Sequence, residues 1–178
     1  DDAKAAEFAS AINDTNLQRR DLDLGTTTEA FSMLENDHLT VSRSSTVLFN
    51  ENWHKGVVGI VASRLIERFY KPTIILTESE GKVSGSARSV REYDVYSAIE
   101  KCGDLLEQFG GHKFAAGLTL KKENVEAFKL KFEEVVSSSI TADQLIPKIE
   151  VDAELELFEI SEKLLRILKQ FGPHGPEN

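Results

Sequence analysis

The chain has 178 residues, with 21 Lys and Arg against 30 Asp and Glu, so its formal net charge is −9 and its pI is near 5.0. Hydrophobic residues at 40 % and charged residues at 29 % describe a globular chain able to bury a core. No apolar run approaches the ~18–20 residues of a membrane span and no secretory signal is visible, so a cytoplasmic chain without membrane attachment is expected. The single cysteine, Cys102, excludes an intrachain disulfide and a Cys-rich metal site. Taken alone, the acidic balance argues against a general nucleic-acid binder.

In chain order, residues 1–36 are mostly helix formers. The short polar side chains of Asn13, Asp14 and Thr15 predict a break there into two helices. Residues 46–50 are β-prone. Residues 56–70 place Val57, Ile60, Val61, Arg64, Leu65 and Arg68 at three- and four-residue spacings and predict an amphipathic helix, ended by Lys71-Pro72. The run Thr73-Ile74-Ile75-Leu76 predicts a strand buried on both faces, and residues 82–89 predict its neighbour. A helix is expected over 94–109, a glycine-rich loop after it, a strand at 118–120, a helix at 124–138, a strand at 149–155 and a last helix at 161–170. The fold class is therefore α/β, a mixed central sheet flanked by helices and preceded by a connecting helix. The ends, Asp1 and a Gly/Pro-rich cluster from Phe171, suggest a piece of a longer protein.

Three stretches carry chemistry. In Gly110-Gly111-His112-Lys113-Phe114-Ala115-Ala116-Gly117 the paired glycines allow close backbone approach to an anion, and His112 is placed to donate to a phosphate oxygen. The competing reading is a helix-ending glycine pair with an incidental histidine. Gly85-Ser86-Ala87-Arg88-Ser89 offers hydroxyls and a guanidinium with little bulk; its bland reading is a polar edge strand. Asn52-Trp53-His54-Lys55-Gly56-Val57-Val58-Gly59 leads into a helix N-terminus. There the glycines serve either an anion or tight helix–sheet packing, with Trp53 and His54 anchoring the turn. Two of the three stretches lie in residues 52–92, which hold 7 basic against 4 acidic groups. The four histidines show no metal-ligand spacing. Asp21 and Asp23 read as a solvated helix face, and Cys102 as a small core residue.

Taken together, the motifs running from Trp53 to Leu65, from Gly85 to Ser89 and from Gly110 to Gly117 resemble the DHH-associated domain of RecJ-type single-strand-specific exonucleases, over about residues 46–136. Asn13-x-x-Asn16-x-x-Arg19-Arg20 is similar to the helix joining the two lobes of these enzymes. Residues 149–155 and Phe171-Gly172-Pro173 are similar to the lead into an oligonucleotide-binding domain, although His174 stands where the family usually has glycine. The resemblance implies that residues 1–40 connect the lobes, 41–140 form the DHH-associated substrate-binding domain, and 141–178 lead into a truncated oligonucleotide-binding domain. It further implies 5′-to-3′ hydrolysis of single-stranded DNA in repair and recombination, with Mn2+ or Mg2+ held in a catalytic lobe outside this chain. His112 is then the contact to the attacked phosphate. Ser86, Arg88, Ser89, Gly110, Gly111 and His54 would bind substrate, and none of these residues would hold metal. Single-stranded DNA and a single-strand-binding protein are the implied partners of a chain expected to be monomeric and inactive alone. A sister enzyme acting on short oligonucleotides or cyclic dinucleotides, and a non-catalytic nucleic-acid-binding adaptor, share the same motifs.

Overall fold

A computed structural model describes residues 2–175. The elements in chain order are α1 (Asp2–Asn36), β1 (Thr46–Phe49), α2 (Val58–Phe69), β2 (Thr73–Ser79), β3 (Lys82–Arg88), α3 (Val95–Glu100), β4 (Leu106–His112), β5 (Ala115–Leu120), α4 (Val125–Ser139) and α5 (Glu162–Gln170). They fall into two units, 1–147 and 148–178. The first holds a five-stranded sheet in the order β1-β2-β3-β5-β4. Its β1–β2 pair is parallel and every other pair antiparallel.

The continuous apolar run forms β2, in which Thr73, Ile74, Ile75, Leu76 and Thr77 are fully buried. Successive side chains of a strand point to opposite faces, and the two faces have different covers. Ile74 and Leu76 belong to a cluster with Val83, Leu118, Phe128 and Phe132, made with α3 and α4. The Phe128 and Phe132 rings stack at 5.8 Å. Ile75 belongs to the opposite cluster with Val57, Val61 and Leu65 around α2 and Ala30 and Leu34 of α1. Each fully buried large side chain of this kind contributes about 1.5–3 kcal/mol. The start of α3 is fixed by Asp94, whose carboxylate accepts from the Ser97 N–H at 3.0 Å; that bond holds the carboxyl below its usual range. Glu133 of α4 accepts from the N–H groups of Ser44 at 2.7 Å and Ser45 at 2.9 Å, tying the approach to β1 onto the helix layer.

The structure corrects four expectations. Residues 2–36 form one helix, not two. Thr15 donates its hydroxyl to the Ala11 carbonyl four residues back, at 2.9 Å, so the polar cluster bonds within the helix instead of capping a new one. Residues 94–109 are not one helix. α3 ends at Glu100, a 3-10 turn spans Gly103–Leu105, and β4 begins at Leu106. The glycine-rich stretch therefore lies on a β-hairpin. Asp23 is buried, paired with Arg64 of α2 at 2.6 Å and accepting from the Thr27 hydroxyl, so it docks α1 and does not face water. Residues 149–155 form no strand. In the second unit the described residues hold a 3-10 turn at Leu157–Glu159 and α5, capped by Ser161 accepting from the Leu164 N–H at 3.3 Å. No described helix is long and apolar enough to cross a membrane.

Candidate functional site

Alternation along β3 sends Val83 and Ala87 into the α3–α4 core and sends Ser84, Ser86 and Arg88 to the α2 face. Strand register then extends these residues into rows. Arg88 pairs with Ala115, which pairs with His112; Ser86 pairs with Gly117, which pairs with Gly110. Helix α2 lies over the β2–β3 half of this face, and Gly110, His112 and Gly117 of the β5–β4 half are exposed. The result is a shallow hollow of about 330 Å³, lined among others by Lys55, Ser84, Gln108, Gly110, Gly117 and Thr119.

The polar side chains of this face include several donors. The Arg88 Nη1 group donates to Ser86 Oγ and to the Ala87 carbonyl, both at 2.8 Å. These bonds fold the guanidinium back along its own strand. None of the ion pairs among the described residues involves Arg88, so its charge is not neutralised by a carboxylate. Gly59, in the first turn of α2, makes the space for it. A Cβ there would sit 2.9 Å from Arg88 Nη2 and 3.1 Å from Ser86 Oγ. Arg88 thus lies beside the end of a helix whose leading N–H groups have no intrahelical partner and carry partial positive charge.

His112 Nδ1 accepts from the Phe114 N–H at 3.3 Å. In the neutral ring that assigns the proton to Nε2 and makes it the donor. His54 repeats the arrangement, its Nδ1 accepting from the Gly56 N–H at 3.0 Å, and its neighbour Lys55 lines the hollow. Gly111 has a φ of 147°, and a Cβ on it would stand 2.4 Å from the Ala115 carbonyl oxygen. The hairpin itself therefore requires glycine at 111. Gly110 and Gly117 differ: a Cβ at 110 would meet nothing within 4 Å, and one at 117 only the Gly85 carbonyl at 3.9 Å. No neighbour demands glycine at either place, yet they pair across the two strands and leave bare backbone, as expected where a ligand approaches closely.

Two residues have other work. Ser89 donates its hydroxyl to the Tyr93 carbonyl at 2.7 Å and its N–H to the Phe114 carbonyl at 3.0 Å; its hydroxyl proton is already committed to holding the 89–93 turn. Trp53 is buried, its Nε1 donating to Glu29 of α1 at 2.7 Å and its carbonyl accepting from the Thr77 hydroxyl at 2.6 Å. It anchors the turn before α2 to α1. Lys55 is the contributor that its sequence motif contains but does not mark out, and its place beside His54 is the available signal. No group of three or more His, Cys, Asp or Glu side chains among the described residues is arranged to hold a metal ion. The donors of this face, the ammonium of Lys55 and the hydroxyls of Ser84 and Thr119 lining the hollow with the Arg88 guanidinium and the His112 imidazole in the adjoining row, suit an anion and do not fit a divalent cation.

The DHHA1 domain family matches residues 38–138, the stretch containing the sheet and all of these groups. The chain belongs to this family. The single-stranded-DNA-specific exonuclease RecJ of Bacillus subtilis is 36 % identical to it over 100 % of the chain, and that of Escherichia coli 30 % identical over 97 %. The chain spans only 23 % and 31 % of those relatives. The crystal structure of RecJ from Thermus thermophilus in complex with Mg2+ matches with a TM-score of 0.77 at 26 % identity, covering 92 % of this chain and 24 % of that one. Its Mn2+ complex matches with a TM-score of 0.76 at 26 % identity, covering 90 % and 23 %. The α/β architecture with a mixed sheet behind a long helix is thus shared with RecJ, and the likeness carried by the three motifs of the DHHA1 region extends over nearly the whole chain.

Proposed function

We propose that this DHHA1 chain is the substrate-gripping part of a cytoplasmic 5′-to-3′ exonuclease of DNA repair and recombination. It would hold the phosphates of single-stranded DNA while Mg2+ or Mn2+, bound by residues outside the chain, supplies the hydrolytic chemistry. The observation that carries this reading is the pairing of Gly110 with Gly117 beside Arg88, bare backbone next to a guanidinium without a carboxylate. A phosphate resting there meets Arg88 and Ser86 on one side and His112 Nε2 on the other, and a planar guanidinium matches phosphate geometry. Gly111 shapes the hairpin, Ser89 fixes its base, and His54 with Lys55 extends the donor set toward α2. In this reading α1, within residues 1–40, is the connector between lobes, residues 41–140 bind substrate, and residues 141–178 lead into an oligonucleotide-binding domain.

Fluorescence anisotropy of the purified chain with a single-stranded oligonucleotide across a salt series tests the reading. Binding should weaken with salt, and Arg88→Ala should lower the slope of log affinity against log salt by about one, because one phosphate contact is lost. An unchanged slope and affinity in Arg88→Ala would contradict it.

A further inference from the structure

The two-residue turn of the β4–β5 hairpin presents an aromatic ring that the fold does not use. Phe114 is 51 % exposed and belongs to neither apolar cluster. Its immediate neighbours offer it no apolar patch, since residues 110–113 and 115–117 are only glycine, alanine, histidine and lysine. An exposed phenylalanine on a floppy turn would mean little, but this turn is tied down. The Phe114 N–H donates to His112 Nδ1 at 3.3 Å, its carbonyl accepts from the Ser89 N–H at 3.0 Å, and the Lys113 carbonyl accepts from the Val95 N–H at 3.0 Å. The ring is held with its centroid 6.4 Å from that of His112, nearly edge-on at 73°, and the Lys113 ammonium lies 5.5 Å from its centre.

We propose that Phe114 is a stacking platform for one nucleobase of the single strand, adjoining the phosphate whose oxygen meets His112. The inference rests on the proposed phosphate grip and adds to it a base subsite. Three things support a base as the occupant. The ring adjoins anion donors, so whatever covers it sits next to a phosphate. The cation beside it suits a polyanion. A single aromatic at the glycine-rich tip of the hairpin, residues 110–117, matches how sequence-tolerant single-strand binders hold bases, through a π-face that any base can cover. The backbone bonds fix the turn that carries the ring before ligand arrives, so little main-chain ordering cost is added on binding.

The test uses the 178-residue chain with two oligonucleotides of equal length and equal phosphate count, one of thymidines and one of abasic sugars, in wild type, Phe114→Ala and Phe114→Trp. The wild type should prefer the thymidine strand by about tenfold, within the range measured for base–aromatic stacking. Phe114→Ala should erase that preference while leaving abasic-strand affinity unchanged, and Phe114→Trp should retain it. Equal wild-type affinity for the two strands, or equal weakening of both by Phe114→Ala, overturns the platform and leaves the phosphate grip standing. Failure of the wild type to bind either strand overturns both.

Discussion

The two faces of the sheet are made by alternate residues of the same strands, and they are built to opposite rules. Along β5, Ala116, Leu118 and Leu120 enter the core under α3 and α4, while Ala115, Gly117 and Thr119 face the side that α2 only partly covers. One face is closed by bulk, with Phe128 and Phe132 filling it. The other has small side chains where bulk would fit, as Gly110 and Gly117 show, and a cation in place of an apolar anchor. On the proposed reading, a period of two thus lets a six-residue strand serve stability on one face and recognition on the other, with little coupling between them.

The matched substitutions Phe132→Ala and Gly117→Val bring out the contrast. Phe132→Ala empties a fully buried site and should destabilise the fold by about 3–5 kcal/mol, read by denaturant unfolding, with DNA affinity preserved where the protein remains folded. Gly117→Val should change stability by less than ~1 kcal/mol yet weaken single-strand binding about tenfold, ~1.4 kcal/mol, because it fills the bare backbone of the hollow. A Gly117→Val chain that binds normally would remove the functional argument for that face. The smallest effect concerns Cys102, wholly buried on the packed side and pushed up to about 11 by burial. Its neutral thiol favours the folded state. That contribution is complete below the unfolded value near ~8.5 and is lost as pH climbs toward 11. Cys102→Ala should therefore flatten the fall of Tm with pH in this window relative to wild type.

The fully buried elements were the more legible ones in the sequence. The β-branched run at Thr73 and the three- and four-residue spacing after Gly56 reflect burial directly, and both elements stand where the pattern put them. β4 was lost because Val95, Ala98, Ile99, Cys102 and Leu105 keep helical spacing up to the strand. The break there is made by the Gly103 turn and by Asn124 of the chain's later half donating to the Leu105 carbonyl at 3.0 Å, a tertiary contact that local propensity does not encode. The strand expected at 149–155 alternates correctly, but none of the described strands pairs with it. On the open face the individual motifs were visible, and their alignment was not. That Ser86 meets Gly117 and Gly110 in one row depends on the register of two antiparallel pairs, and that Arg88 fits beside α2 depends on a missing Cβ at Gly59. His112 was read as a loop donor. The hairpin adds the reason it donates through Nε2, since Nδ1 is occupied by the Phe114 N–H.

The role of the open face depends on where a single strand of DNA touches this chain. Titration of the 15N-labelled protein with a short single-stranded oligonucleotide, followed by amide chemical shifts, reads that location residue by residue. The largest shifts should fall at Ser86, Arg88, Gly110, Gly111, His112 and Gly117, with the amides of α4 and the exposed first twenty residues of α1 unmoved. Saturable shifts centred on α4 or on the N-terminal half of α1, with the Gly110–Gly117 pair silent, would contradict it.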